Sequence, residues 1–250
     1  METSEKRLAV LIDGENAPRT AIKEIMAECV KYGTPTIKRI YGDWAMNNMD
    51  SWKPLMLENA LIPVQQYSYT TGKNSSDSAM IIDAMDILYS QPVDGFVLVS
   101  SDSDFTRLAL RLRESGKVVY GIGERKTPNA FIAACDKFIY VEIIRGGDLE
   151  KEEKGKEGPK TTTPKAKSKQ IPAQVVELIA STIQDVSDED GWVFMGELGN
   201  ILLKKQPDFD PRNYGYEKLT SLVKAIDRIE IDARPTSAPG VKHIYARVKK

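Results

Sequence analysis

Aspartates stand at the ends of two apolar runs in the first half of the sequence. Asp13 ends the run Val10-Leu-Ile-Asp, and Asp102 and Asp104 follow the run Leu98-Val-Ser-Ser. Continuous apolar runs of this kind predict strands that are buried on both faces of a parallel sheet. Ligands of such sheets bind outside the carboxyl ends of the strands, where the strand order reverses, so we expect the three carboxylates to meet there.

A fourth acid, Asp77, opens a predicted helix instead of ending a strand. At about 100° per residue, Asp77 shares one helix face with apolar neighbours, whereas Asp83 is turned about 120° away and Asp86 about 180°. The apolar neighbours are Ile81, Ala84 and Leu88. We therefore predict that Asp77 points towards the acidic edge of the sheet, that Asp83 has at most a supporting role, and that Asp86 is solvated.

Four carboxylates in one cleft repel one another strongly unless a cation neutralises them. Oxygen ligands favour Mg²⁺ or Mn²⁺ over zinc, and the only histidine, His243, lies near the C-terminus. Such cations activate water and stabilise the leaving oxygen during phosphodiester hydrolysis. Each acid also has a simpler explanation, since an Asp-Gly pair after a strand is typical of a turn and Asp102 could cap a helix. Their coincidence at one edge favours a metal site.

Other polar residues flank these acids in the sequence. The candidate supporting residues are Asn16, Asp83 and Ser101. The candidate contacts for substrate phosphates are Lys73 and Arg107. Simpler roles remain open, because an asparagine at this place can cap the following helix and exposed basic side chains are usually only solvated.

The elements that must position these residues follow a regular alternation. Through residues 1–145, short β-rich runs alternate with amphipathic helical stretches, which predicts a three-layer α/β/α domain around a parallel sheet. The six predicted strands are Arg7–Asp13, Pro35–Gly42, Leu61–Ser68, Gly95–Ser101, Lys117–Gly121 and Lys137–Ile144.

The rest of the chain divides into a polar segment and a second domain. Residues 146–169 almost lack apolar side chains, which predicts a flexible Lys-rich linker. Residues 170–250 predict a helix, a short strand, two helices and a β-hairpin, the order of a small winged-helix-like α+β domain. The net charge of −1 divides into −4 for residues 1–150, +4 for residues 151–169 and −1 for the remainder. An anionic partner would therefore be attracted to the linker and repelled by the first domain.

Composition and the N-terminal sequence bear on the cellular setting. Apolar residues make up 41% of the chain, and no apolar run reaches the eighteen or so residues of a membrane span. The first residues lack the features of a signal or transit peptide, so we expect no membrane association and a cytoplasmic location. Cys29 and Cys135 lie among apolar neighbours and are expected to pack in the core.

Three motifs of the first domain resemble those of NYN domains, a branch of the PIN-like nucleases. They are Val10-Leu-Ile-Asp-Gly-Glu-Asn16, the stretch from Lys73 to Asp77 that leads to Ala79-Met-Ile-Ile-Asp-Ala84, and Leu98-Val-Ser-Ser-Asp-Ser-Asp-Phe105. The resemblance spans almost all of residues 6–144. It implies a compact α/β/α fold, Mg²⁺ or Mn²⁺, and cleavage of RNA, and it assigns metal binding to Asp13, Asp77, Asp102 and Asp104. Asp83 also recurs in the family pattern, which challenges the minor role that its helix face predicts.

The last third of the sequence resembles an OST-HTH domain, also called LOTUS. The resemblance covers about residues 170–248 and rests on Gly191-Trp-Val-Phe-Met-Gly-Glu-Leu198 and the segment from Phe209 to Leu222. The family is associated with RNA binding and with partner proteins. The candidate RNA contacts are Lys204, Lys205, Arg212, Lys218 and Lys224, with Tyr214 and Tyr216 as candidate stacking residues. Both tyrosines could instead simply pack at a helix start.

These observations predict a metal-dependent ribonuclease whose C-terminal module binds RNA. The alternative is a non-catalytic RNA-binding adaptor or regulator whose acidic cleft binds metal without turnover. A Toprim or phosphatase site built on Asp102 and Asp104 is disfavoured. Toprim sites want a glutamate at the end of the first strand, where Asp13 stands, and the phosphatases want a second aspartate where Glu15 stands. The sequence leaves the RNA substrate, the number of metal ions and the oligomeric state open.

Overall fold

A computed structural model describes residues 5–46, 49–67, 75–146, 171–236 and 241–249. The chain divides into two compact units, Met1–Lys156 and Glu157–Lys250, and each is described by itself. Lys73 and, apart from Gly146, the predicted linker at residues 146–169 lie outside the described residues.

The first unit contains a six-stranded parallel sheet with the strand order β3-β2-β1-β4-β5-β6. The strands are β1 (Arg7–Asp13), β2 (Thr34–Gly42), β3 (Ile62–Gln65), β4 (Gly95–Val99), β5 (Val118–Gly123) and β6 (Lys137–Tyr140). The chain builds the sheet outwards from β1 to β3 and then crosses back to place β4 on the other side of β1. The strand order therefore reverses between β1 and β4, which is where ligands of doubly wound sheets bind.

Helices cover both faces of the sheet, as the predicted three-layer α/β fold requires. They are α1 (Ile22–Cys29), α2 (Trp52–Asn59), α3 (Ser75–Ser90), α4 (Thr106–Glu114), α5 (Asn129–Ala134) and α6 (141–146). Alternate residues of β1 point to opposite layers. Val10 joins the apolar core with α1 and α2, whereas Leu11 joins the core with α3, α4 and α5. β1 is thus buried on both faces, and this holds its carboxyl end rigidly.

The prediction for the sixth strand was wrong at its C-terminal end. The strand stops at Tyr140, and residues 141–146 are helical, although the predicted strand ran to Ile144. Val141 and Ile144 are both buried in the same core cluster. A spacing of three residues places two side chains on one face of a helix, and this burial overrides the strand propensity of the segment. β3 and β4 also end earlier than predicted, at Gln65 and Val99.

The second unit has the predicted order of helix, short strand, two helices and hairpin. Its elements are α7 (Ala173–Val186), β7 (Val193–Phe194), α8 (Met195–Lys205), α9 (Leu219–Lys224), β8 (Ile229–Pro235) and β9 (Lys242–Val248). The three strands form an antiparallel sheet in the order β7-β9-β8. One face of this sheet packs with the helices around a core that includes Ile179, Leu198 and Ala246. Among the described helices of the whole chain, none is long and apolar enough to cross a bilayer.

Candidate metal centre

Three carboxylates converge at the carboxyl edge of the parallel sheet. Oxygen atoms of Asp77, Asp102 and Asp104 all lie within 4.8 Å of one another. Asp77 is in the first turn of α3, and the other two acids lie in the connection from β4 to α4. Burial decreases across the group: Asp77 is 6% exposed, Asp102 is intermediate and Asp104 is exposed. The cluster therefore opens to solvent on one side.

Asp13 stands beside this cluster and is almost completely buried, with 1% exposure. One carboxylate oxygen accepts hydrogen bonds from Ser100 Oγ and Asn16 Nδ2, both at 2.8 Å. The other oxygen accepts from the backbone N–H groups of Glu15 and Asn16, at 3.1 and 3.2 Å. These four bonds fix the orientation of the Asp13 carboxylate and satisfy much of its hydrogen-bonding capacity.

The charges of the cluster shift the pKa of Asp77. Burial, followed by the negative charges of Asp13, Asp102 and Asp104 and a smaller contribution from Glu15, raises the pKa of Asp77 to about 6. Sequence reasoning did not identify Glu15 as a contributor. A raised carboxyl pKa means that the ionised form is disfavoured in the folded protein, and a bound cation reverses that preference.

Asp102 performs a local structural task as well as lining the cluster. Its Oδ1 accepts a hydrogen bond of 2.9 Å from the backbone N–H of Asp104, capping the short 3-10 turn Ser103–Phe105. Phe105 is fully buried in the core and anchors this turn below the acids. The capping role and a ligand role are compatible, because the second carboxylate oxygen is not used by this bond.

Ser100 connects the two strand ends that carry the acids, and sequence reasoning overlooked it in favour of Ser101. Its hydroxyl donates to Asp13 and accepts a hydrogen bond of 3.1 Å from the backbone N–H of Asp102. Ser101 instead accepts a bond of 2.9 Å from the backbone N–H of Glu124, after β5. Side chains alternate along a strand and its extension, so only one of two adjacent serines can face Asp13.

Asp83 points away from the cluster towards β2. Its carboxylate forms an ion pair with Arg39 and accepts a hydrogen bond from the Tyr41 hydroxyl. The bond to Asp83 raises the pKa of Arg39, and burial together with the same carboxylate raises the pKa of the Tyr41 hydroxyl. Asp83 therefore secures α3, which carries Asp77, against the sheet.

The predicted RNA contacts occupy varied environments. Arg107 is exposed on α4 and makes no hydrogen bond or ion pair with the described part of the chain. In the second unit, Lys204, Lys218 and Lys224 are exposed. Lys205 bonds to Thr182 and Asp185, and Arg212 pairs with the buried Asp210. Tyr214 and Tyr216 are partly buried against the core, as their packing alternative predicts.

A parallel α/β domain with an acidic centre at its topological switch point, followed by a small winged-helix-like unit, defines the class of this protein. Residues 7–143 match the NYN domain family, and the chain belongs to that family. Residues 166–241 match the OST-HTH/LOTUS domain. Both matches confirm the resemblances found in the sequence.

The similar solved structures belong to proteins without an assigned function. A protein of unknown function from Vibrio parahaemolyticus is 19% identical; the match covers 55% of this chain and 94% of that chain, with a TM-score of 0.47. An uncharacterized protein from Nitrosomonas europaea, solved by NMR, is 34% identical over 38% of this chain and 90% of that chain, with a TM-score of 0.30. No curated protein matches this chain.

Proposed function

We propose that this protein is a metal-dependent ribonuclease that hydrolyses RNA phosphodiester bonds in its NYN domain and holds RNA with its OST-HTH domain. NYN domains are PIN-like nuclease domains, and OST-HTH domains bind RNA. The observation that carries the proposal is the convergence of Asp77, Asp102 and Asp104 at the carboxyl edge of the sheet.

The acidic centre suits a hard divalent cation. All the donors are carboxylate oxygens, which Mg²⁺ and Mn²⁺ prefer, and their mutual separations of at most 4.8 Å leave room for an ion between them. Asp77, Asp102 and Asp104 would hold the ion together with Asp13, whose charge acts on Asp77. When bound, it would supply an activated water and stabilise charge on the reacting phosphate.

Several residues around the acidic centre hold its acids in position or lie where a substrate phosphate would bind. Ser100 and Asn16 hold the Asp13 carboxylate in one orientation, and Ser100 also fixes the backbone at Asp102. Asp83 secures the position of α3 through Arg39. Arg107, one turn beyond the acids and exposed, is available to bind a phosphate of the substrate.

The decisive experiment incubates the full-length protein with labelled single-stranded RNA and Mn²⁺ or Mg²⁺. We expect metal-dependent cleavage by the wild type, and a loss of at least about a hundredfold in Asp102→Asn and Asp13→Asn. The matched control is Asp86→Asn, which removes an exposed carboxylate from the solvent side of α3 and should cleave at the wild-type rate.

Two results would contradict the ribonuclease proposal. Equal cleavage by the wild type and the two acid variants would show that a contaminant or another site acts. Metal and RNA binding by the wild type with no cleavage in either metal would instead identify a non-catalytic RNA-binding adaptor.

A further inference from the structure

The small sheet of the second unit has one face that is not covered by its helices. Residues along its strands alternate between two environments, and Val193, Ile231 and Ala246 point into the core. Their strand neighbours point to the opposite face, and strand register places them next to one another, with Phe194 opposite Tyr245 and Arg234 opposite His243. We call this outer surface the aromatic–arginine face; it comprises Trp192, Phe194, Arg234, His243, Tyr245 and Arg247, with the acids Glu230 and Asp232 beside the two arginines.

Rings and guanidinium groups form a continuous row across this face. The Phe194 ring lies 5.1 Å from that of His243 and 5.9 Å from that of Tyr245, between centroids. The Arg234 guanidinium lies 4.3 Å from the Tyr245 ring and 5.2 Å from the Trp192 ring. Arg247 lies 4.5 Å from the Trp192 ring. Phe194, at 39% exposure, opens this row to solvent.

Acidic partners hold both arginines in place without burying them. Arg234 Nε donates to Asp232 at 2.9 Å, and Arg247 Nε donates to Glu230 at 2.6 Å. Both arginines remain partly exposed, at 41% and 34% of their side chains. The planes of these groups are therefore oriented before any ligand binds, which lowers the conformational entropy lost on binding.

The net positive charge of the second unit lies on the hairpin that builds this face. Residues 228–249 contain five Lys and Arg residues against two acids, whereas residues 170–227 contain five against ten. A polyanion approaching this unit is therefore attracted to the hairpin and repelled by most of the helical part. This distribution points to a nucleic acid and disfavours a cationic ligand.

We propose that the aromatic–arginine face binds single-stranded RNA by stacking unpaired bases on its rings and guanidinium planes, while the hairpin cations contact the phosphates. This proposal rests on the proposed function, since it assigns the RNA-binding role of the second unit to one surface. Bases stack on aromatic rings and on arginine planes, and such stacking tolerates different sequences because every base has a π-face.

The sequence predicts a different set of RNA contacts in the second unit, which we call the helical patch: Lys204, Lys205, Arg212, Lys218 and Lys224. In that patch Lys205 is engaged with Asp185, and Arg212 with the buried Asp210. Asp210 is buried, whereas Asp232 and Glu230 beside the two face arginines are partly exposed, so breaking the Arg212 pair would leave a buried charge. Tyr214 and Tyr216 also pack partly against the core of the unit.

The test measures binding of fluorescein-labelled oligouridine to the full-length protein in EDTA, where no divalent metal supports cleavage. Tyr245→Leu and Phe194→Leu keep apolar volume but remove a ring, and each should weaken binding about tenfold. Tyr245→Phe keeps the ring and should bind within about twofold of the wild type. The matched control, Lys204→Gln with Lys218→Gln, removes two exposed cations of the helical patch and should also change affinity by no more than about twofold.

A second probe separates stacking from simple charge attraction. An abasic ribose-phosphate oligomer of equal length carries the same charges but offers no bases. Its affinity should be unchanged by Tyr245→Leu. Thermal unfolding of each variant checks that the fold is intact. If Tyr245→Leu does not fold, the RNA affinity of Phe194→Leu tests the proposal in its place.

Each remaining outcome overturns the assignment. Wild-type affinity in both leucine variants would place the RNA elsewhere and leave the face to a partner protein. Loss of binding in the lysine double variant alone would show that RNA binds to the helical patch. If the wild type fails to bind oligouridine at all, the RNA-holding part of the proposed function fails with it, whereas metal-dependent cleavage remains separately measurable.

Discussion

Asp77→Asn should stabilise the metal-free protein and abolish the proposed ribonuclease activity. In the folded chain the Asp77 carboxylate is buried next to three other aspartates, and this raises its pKa from 3.8 to about 6. The ionised side chain therefore destabilises the folded state at neutral pH. Asparagine has nearly the same shape without the charge, so it removes this destabilisation and also removes a proposed metal ligand.

The magnitude follows from the shift in pKa. A rise of about two pKa units corresponds to about 3 kcal/mol at a pH well above 6, where folded and unfolded forms are both ionised. Solvent at the open side of the cluster screens part of this repulsion, so we expect about 2 kcal/mol. An acid in the first turn of α3 also interacts favourably with the helix dipole, and asparagine loses about 0.5 kcal/mol of that. The repulsion is the larger effect, and the variant should gain stability.

Calorimetric unfolding in EDTA at pH 8 measures this effect. The transition of the first unit should rise by about 5 °C in Asp77→Asn and should stay unchanged in Asp86→Asn, which alters an exposed carboxylate of the same helix. The difference from the wild type should shrink as the pH falls from about 6 to 3.8, because the wild-type Asp77 takes up a proton in the folded state. Saturating Mn²⁺ should raise the transition of the wild type more than that of the variant. An unchanged or lower transition for Asp77→Asn at pH 8 would refute the reasoning.

Three further predictions follow from the same centre. Ser100→Ala should weaken Mn²⁺ binding about tenfold by calorimetric titration, since Asp13 loses a donor that orients it; unchanged affinity would contradict this. Asp83→Ala should lower the free energy of unfolding in urea by about 2 kcal/mol, because the buried Tyr41 hydroxyl loses its acceptor and Arg39 its ion pair; a change in Mn²⁺ affinity without lost stability would argue against a structural role of Asp83. Mn²⁺ affinity of the wild type should fall as the pH drops through about 6, since a proton then competes for Asp77. A flat pH profile between 5 and 7 would contradict the last prediction.

The sheet and the positions of its acids were largely predictable because they depend on local pattern. The continuous apolar run before Asp13 requires a strand buried on both faces, and parallel topology then brings its end next to that of β4. The helical face of Asp77 follows from residue spacing alone. The same spacing turns Asp83 away from Asp77. In the structure, Asp83 forms an ion pair with Arg39 and accepts a hydrogen bond from Tyr41.

The remaining details depend on contacts between residues far apart in sequence. Ser100 and Ser101 are indistinguishable locally, and only the position of Asp13, 87 residues away, selects Ser100 as its donor. The end of β6 was unpredictable for a similar reason, since Val141 becomes helical by packing against the core beneath the sheet. Likewise, Lys205 donates hydrogen bonds to Thr182 and Asp185, which lie 23 and 20 residues earlier in the chain. Spacing and propensity carry no information about such partners.

The distribution of charge links the two proposed activities. Residues 1–150 carry a net charge of −4, so RNA gains little from general attraction to the domain that would cleave it. Positive charge lies instead in residues 151–169 and in the hairpin at residues 228–249. RNA binding at moderate salt should therefore depend on these cations and weaken steeply as salt rises. Cleavage at saturating RNA should depend mainly on metal at the acidic centre. A separation of this kind would let affinity and turnover be changed independently, because the residues proposed for each lie in different parts of the chain.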